Sequence, residues 1–215
     1  MILQYKCFPL GALWTNGYLF WDDETHEAFF VDPGGNTQDV ADFMAANNLT
    51  LKMILLTHGH IDHVAGINEL VPSVGDNIYI HPDDSDMLRN PSRQLQALLG
   101  VSFSGLEGGK FRETEDGRII DFPGFTIKTM ATPGHTEGSV CYIVTDKEGH
   151  KVLLSGDTLF AQSVGRTDLE GGDWLKLEAS LRRLAELDDG LHVLPGHGPD
   201  TSIGSEREFN PYWPR

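Results

Sequence analysis

Four side chains able to hold a metal crowd into six residues of the stretch Thr57-His58-Gly59-His60-Ile61-Asp62-His63. His58 and His60 are two apart, so an extended backbone points both imidazoles the same way. Asp62 and His63 follow at once, where the chain is expected to turn into a helix. Gly59 keeps the turn open. The bland alternative is a polar surface loop. The apolar strand Met53-Ile54-Leu55-Leu56 that runs straight into the cluster argues against it.

Three further places repeat the grammar of apolar strand, turn and ligand type. Ile127 to Met130 leads to Thr132-Pro133-Gly134-His135, Val152 to Leu154 leads to Ser155-Gly156-Asp157, and Val193-Leu194 leads to Pro195-Gly196-His197. Loops at strand ends are where a rigid sheet positions functional groups. A lone Gly-His is usually only a turn, but four such places make coincidence a poor account. The candidate ligands are His58, His60, Asp62, His63, His135, Asp157 and His197. Imidazole and carboxylate without thiolate suit zinc, manganese or iron. Seven ligands exceed one tetrahedral ion and fit two ions sharing a carboxylate. Neighbouring divalent ions bring the pKa of a shared water near neutrality. The implied chemistry is hydrolysis of an activated carbonyl or a phosphoester.

The elements that carry these groups follow from pattern. Strands are expected at 3–8, 17–21 and 27–31, closed by the turn Asp32-Pro33-Gly34-Gly35. Asn36 or Thr37 is expected to cap a helix running to about Asn47. After the strand at Met53–Leu56, one helix is expected from 62 to 71, a strand at 78–80, and helices at 83–89 and 92–99. The polar, Gly-rich stretch 101–117 reads as a loop. Strands at 125–130, 139–145 and 151–154 follow, then an amphipathic helix over 173–187 with Leu177, Leu181 and Leu184 on one stripe. A last strand covers 191–194. Strand-rich halves flanked by helices suggest two sheets covered by helices, although pattern alone leaves a single mixed sheet open.

A chain of 215 residues suits one domain, expected here over 1–215, and can bury a core without a staple. It is 40% hydrophobic and 22% charged, ordinary for a globular protein. Its formal net charge of −16 repels phosphate backbones and anionic lipid, which weighs against nucleic-acid and membrane partners. Two cysteines, Cys7 and Cys141, build no disulfide framework and are expected as buried thiols. No secretory leader and no run of about 20 apolar residues is recognised, so a cytoplasmic location is expected. Trp14, Trp21, Trp174 and Trp213 are expected in packing roles, and His81 in a structural or pocket role.

The motifs resemble the metallo-β-lactamase-fold superfamily, whose signature H-x-H-x-D-H stands here as His58 to His63. The later pieces resemble its glyoxalase II branch, the hydroxyacylglutathione hydrolases and their short bacterial relatives. They are Thr132-Pro133-Gly134-His135-Thr136, Ser155-Gly156-Asp157-Thr158-Leu159-Phe160, Gly165-Arg166-Thr167-Asp168 and Pro195-Gly196-His197-Gly198. Val31-Asp32-Pro33-Gly34 extends the match forward. The resemblance implies an α+β fold, a four-layer αββα sandwich. It implies two divalent ions, zinc first and iron or manganese next. His58, His60 and His135 would hold one ion, Asp62, His63 and His197 the other, and Asp157 would bridge both. A bridging hydroxide would attack a small-molecule thioester of the S-lactoylglutathione type, with Asp62 and Asp157 as the catalytic carboxylates.

Only residues 200–215 follow the last ligand, so the C-terminal glutathione clamp of full-length glyoxalase II is expected to be missing or built differently. Arg166, Phe160 and Arg207 are candidate substrate contacts, with Lys110 a further cation. For the arginines a structural role outweighs that reading: Arg166 pairing with Asp168 or with a metal-ligand carboxylate, Arg207 anchoring the tail. Two other functions stand beside the thioesterase. One is an oxidoreductase like the mono-iron persulfide dioxygenases, which share the fold and the Gly-Arg-Thr-Asp segment. The other is a non-catalytic module that keeps metal for stability.

Overall fold

The computed structural model describes residues 3–92, 96–97, 100–107 and 110–214. Two compact units divide the chain, one covering residues 2–114 and the other 115–215 with Met1.

In the first unit β1 (Tyr5–Leu10), β2 (Thr15–Trp21) and β3 (Glu27–Val31) form an antiparallel meander. Then β4 (Thr50–Leu55), β5 (Ile78–Ile80) and β6 (Arg112–Glu113) add in parallel, giving the order β1-β2-β3-β4-β5-β6. Parallel pairing needs crossovers. Helix α1 (Gln38–Ala46) joins β3 to β4, while the short α2 (Ile61–Val64) and α3 (Ile67–Val74) lie between β4 and β5. The inner strands are continuously apolar, as strands buried on both faces must be: Ala28 to Val31 and Met53 to Leu55 are all buried. Val40 of α1 and Ile67 and Leu70 of α3 pack with Phe30, Ile54 and Leu56 in one core.

Several expectations change here. The single helix over 62–71 is broken at Ala65-Gly66, because Gly66 donates its N–H to the Pro33 carbonyl at 2.8 Å. A Cβ on Gly66 would lie 1.9 Å from the Gly35 carbonyl oxygen, so the chain is pressed against the Pro33–Gly35 turn. Thr37 precedes α1 without capping it, its hydroxyl donating to Glu69 Oε2 at 2.6 Å, while Asn36, the other expected cap, accepts the Gln38 N–H on Oδ1 at 2.9 Å. The stretch over 83–89 opens as a 3-10 turn (Pro82–Asp84) before α4 (Ser85–Arg89). Loop 101–117 contains β6, too short to show a period. The helix expected over 92–99 lies largely outside the described residues.

The second unit holds β7 (Ile119–Phe122), β8 (Phe125–Ala131), β9 (Val140–Asp146) and β10 (Lys151–Gly156), all antiparallel. A small hairpin follows, β11 (Leu159–Phe160) with β12 (Ser163–Val164). Helix α5 (Trp174–Leu184) is capped by Asp173, whose Oδ1 accepts from the N–H groups of Leu175 and Lys176. Its stripe of Leu177, Leu181 and Leu184 is fully buried. Each such leucine contributes roughly 2 kcal/mol. Then β13 (His192–Pro195) pairs in parallel with β10, and β14 (Thr201–Ser202) in antiparallel with β13. The chain closes with α6 (Ile203–Phe209), where Ser202 Oγ accepts from the Ser205 N–H. The strand β7, the hairpin and α6 escaped the sequence reading, since none spans more than two periods of its pattern.

Cys7 is only half-buried, not buried as expected, whereas Cys141 is fully buried. Trp14 is 72% exposed and Trp174 42%, against the packing role expected for them. Among the described residues no helix is long and apolar enough to cross a membrane.

Candidate metal centre

In the first unit the ligands lie just past the C-terminal end of β4. At His60 the backbone is extended (φ −64°, ψ 144°), and it then turns into α2, which carries Asp62 and His63. His58, His60, Asp62 and His63 are all buried. The rings of His58 and His60 lie 4.8 Å apart, and those of His58 and His63 4.1 Å apart. His63 Nε2 lies 3.6 Å from Asp62 Oδ2, and the Thr15 hydroxyl donates to the same oxygen at 3.4 Å.

Behind these residues stands Asp32, 2% exposed and in the left-handed region (φ 52°). Its Oδ2 accepts from the Thr57 hydroxyl at 2.6 Å and faces His63 Nδ1 at 2.9 Å, while Oδ1 accepts the Thr57 N–H at 2.8 Å. A carboxylate only accepts, so Nδ1 of His63 carries the proton. The Thr57 hydroxyl has spent its one proton on Asp32, so His58 Nδ1, 3.1 Å from that oxygen, must be the donor to it. Both rings then present Nε2 as a lone pair. The sequence reading assigns Asp32 to turn chemistry and to the forward end of the family match, without a role at the site. The available signal was the same one that marked the ligands, a carboxylate directly after an apolar strand.

The second unit builds a matching set. Thr132-Pro133-Gly134-His135 leaves the end of β8. Gly134 (φ 140°) has no room for a side chain, since a Cβ would fall 2.3 Å from the Leu177 nitrogen at the start of α5. His135 donates Nδ1–H to the Arg166 carbonyl at 2.7 Å, so its Nε2 is also a lone pair. The parallel pairing of β10 with β13 sets Gly156 beside Pro195, which delivers Asp157 and His197 from adjacent strand ends. Asp157 Oδ2 lies 3.5 Å from His135 Nε2 and 3.6 Å from His197 Nε2. A Cβ on Gly165 would sit 1.8 Å from the Asp157 carbonyl oxygen and 3.1 Å from His135 Nδ1.

The donor set fits divalent cations. Three imidazoles have Nδ1–H bound to fixed acceptors and offer Nε2, the arrangement that orients histidine ligands in metal sites. The N···O separations of 3.5 to 3.6 Å are too long for hydrogen bonds. They match the edge of a tetrahedron with metal–ligand bonds of about 2.1 Å, roughly 3.4 Å.

The candidate substrate contacts separate. The Phe160 ring stands edge-on to His197 with centroids 6.0 Å apart. Arg166 binds Asp168 through two hydrogen bonds of 2.7 Å, Nε to Oδ1 and Nη2 to Oδ2, and holds that carboxylate down to about 2. Arg207 is spent on the end of α5: Nε donates to Asp189 Oδ1 at 2.7 Å and Nη2 to the Ala185 carbonyl at 2.9 Å. His81 Nδ1 accepts the Asp83 N–H at 3.3 Å. Lys110 is exposed.

The family model described as Metallo-beta-lactamase superfamily matches residues 11–197. A Haemophilus influenzae protein named hydroxyacylglutathione hydrolase GloC is 33% identical over 98% of both chains. Among solved structures, BLEG-1, titled a B3 metallo-beta-lactamase, superposes with a TM-score of 0.87 at 34% identity, covering 98% of this chain and 99% of that one. TTHA1623, solved in a di-iron-bound form, superposes with a TM-score of 0.83, also at 34% identity, covering 96% and 99%.

Proposed function

The chain belongs to the metallo-β-lactamase superfamily, with its αββα fold, and we propose that within it the protein is a dinuclear metallo-hydrolase that cleaves small thioesters of the hydroxyacylglutathione type. The observation that carries this reading is the Asp157 carboxylate, whose single oxygen Oδ2 lies 3.5 and 3.6 Å from two imidazole nitrogens. A carboxylate within reach of two imidazole nitrogens is placed where it would be shared between two ions.

By resemblance to the family, His58, His60 and His135 would hold one ion, and Asp62, His63 and His197 the other. Zinc or iron suits this nitrogen and oxygen set, and the di-iron form of TTHA1623 keeps iron in view. The ions would supply a hydroxide at neutral pH and a Lewis acid for the thioester carbonyl. The chain's own residues do the rest. Asp32 keeps His63 in one tautomer and orientation. Asp62, oriented by the Thr15 hydroxyl, is placed to accept the proton that the attacking water gives up. Phe160 offers an apolar edge beside His197 for the acyl group.

The test is turnover of S-lactoylglutathione by the metal-loaded protein beside a His60→Ala variant, with elemental analysis of both. Metal-dependent turnover at two ions per chain supports the reading. One iron per chain, with oxygen uptake on glutathione persulfide and no thioester cleavage, replaces it with the dioxygenase reading. The 34% identity to BLEG-1 carries a second reading, β-lactam hydrolysis. Turnover of a chromogenic cephalosporin in place of the thioester would favour that one.

A further inference from the structure

We propose that Asp84 is a positioning residue for metal binding: it holds the His58-Gly59-His60 peptide in the geometry that lets both imidazoles face one ion. The proposal rests on the dimetal reading above and adds to it a residue outside the ligand set. Asp84 ends the 3-10 turn that follows β5, 25 residues along the chain from Gly59, and its side chain is fully buried. Its Oδ2 accepts the Gly59 N–H at 2.8 Å.

That N–H lies between the two histidines. Turning the Gly59 peptide would swing His58 and His60 apart, since their common direction depends on the extended backbone between them. Packing agrees with the hydrogen bond. A Cβ on Gly59 would fall 2.8 Å from Met87 Cβ and 2.9 Å from the Asp84 carbonyl oxygen. The ligand loop therefore lies flat against the Asp84–Met87 turn, with its central N–H pinned to a carboxylate. Asp32 does the equivalent for Thr57 and His63, so two buried carboxylates from different turns fix the two halves of the motif.

A buried carboxylate is costly and is kept where it is used. Here it acts twice, as the acceptor that fixes a loop and as negative charge behind a cation site. Loss of such supporting partners typically weakens metal affinity about 10- to 100-fold.

The experiment is competition for Zn(II) between the full chain and a chromophoric chelator, for the parent, Asp84→Ala, Asp84→Asn and Leu181→Ala. The last removes a fully buried side chain of the other unit and reports what general destabilisation does. Asp84→Ala is expected to hold one of its two ions about 10- to 100-fold more weakly. Asp84→Asn, which keeps an acceptor oxygen without the charge, is expected to lose less, and Leu181→Ala to lower Tm without shifting the chelator midpoint. Parent-like retention by Asp84→Ala overturns the proposal, as does an equal shift in Leu181→Ala. Should Asp84→Ala fail to fold, Asp84→Asn decides: weaker retention supports the role and parent-like retention overturns it. A parent chain that binds no zinc sinks the dimetal reading itself, whereas a zinc-binding parent beside an indifferent Asp84→Ala sinks only this inference.

Discussion

His135 is oriented by the Arg166 main chain and not by its side chain: the imidazole Nδ1–H reaches the carbonyl at 2.7 Å while the guanidinium binds Asp168. Arg166→Ala therefore keeps the acceptor and loses only an exposed, solvent-screened ion pair with Asp168. It is expected to bind metal as the parent does. Gly165→Ala forces a Cβ to within 1.8 Å of the Asp157 carbonyl oxygen and should lose metal at least tenfold. Metal content after dialysis compares the two, and an Arg166→Ala chain as depleted as Gly165→Ala would refute the assignment.

Asp32 is expected to matter as much as a ligand. In Asp32→Asn the positive φ is tolerated, because Asn enters the left-handed region readily. The carboxylate serves three donors with two oxygens and the amide has only one, so a buried donor goes unsatisfied. The metal-free protein should lose about 1–3 kcal/mol on that account. Metal affinity should fall about 10- to 100-fold. Urea unfolding of the metal-free chain and chelator competition measure the two separately, and unchanged values in both would remove Asp32 from the site.

The two thiols should behave differently. Burial pushes the Cys141 thiol up to about 11, so it stays protonated and covered at pH 8, whereas Cys7 is half-buried. A chromogenic thiol reagent at pH 8 should label one cysteine of the native protein quickly and the second only on unfolding. The sign for stability follows from the raised value. The neutral thiol's contribution is complete below the ordinary 9.0 and is lost as pH climbs from there toward 11. Cys141→Ala should flatten that alkaline fall in Tm, and rapid labelling of both thiols in the native state would contradict the burial.

At the acid end Asp116 tests the second unit. Partial burial works to raise its carboxyl, but the Ala131 N–H and the Arg183 guanidinium outweigh it and hold the group below 3.8. A depressed carboxylate stabilises above its unfolded value and loses that contribution as pH falls through the folded one. Both partners are about half exposed, so the ion pair is worth only about 0.5 kcal/mol after screening. Asp116→Asn should lower Tm slightly at pH 7, less in high salt, and progressively less as pH falls below 3.8. A salt-independent difference at pH 2 would argue for another cause.

What was legible in the sequence had a local cause. The apolar runs of β3 and β4 and the stripe of α5 each follow from neighbours within one element, and Glu27–Val31 and Ile78–Ile80 fall where the pattern placed them. The ligand types were legible because each follows an apolar strand. Short elements were not: β6, β11, β12 and β14 have two residues each, and a period of two needs more to be seen. The break in the helix after His63 was also hidden, because its cause, the Pro33 carbonyl at Gly66, stands more than thirty residues away in the chain.

The sequence by itself determined the donor chemistry: His58 to His63, His135, Asp157 and His197 place nitrogen and oxygen donors at strand ends, whatever the fold does around them. The tertiary structure alone decided which nitrogen His58, His63 and His135 present. A histidine's tautomer depends on what its other nitrogen touches, and Asp32, Thr57 and the Arg166 carbonyl reach their partners only through folding. Asp84 belongs with them. In the sequence it is one acid among Asp83, Asp84 and Asp86, and only packing buries it against Gly59, where a carboxylate can hold a ligand loop in place.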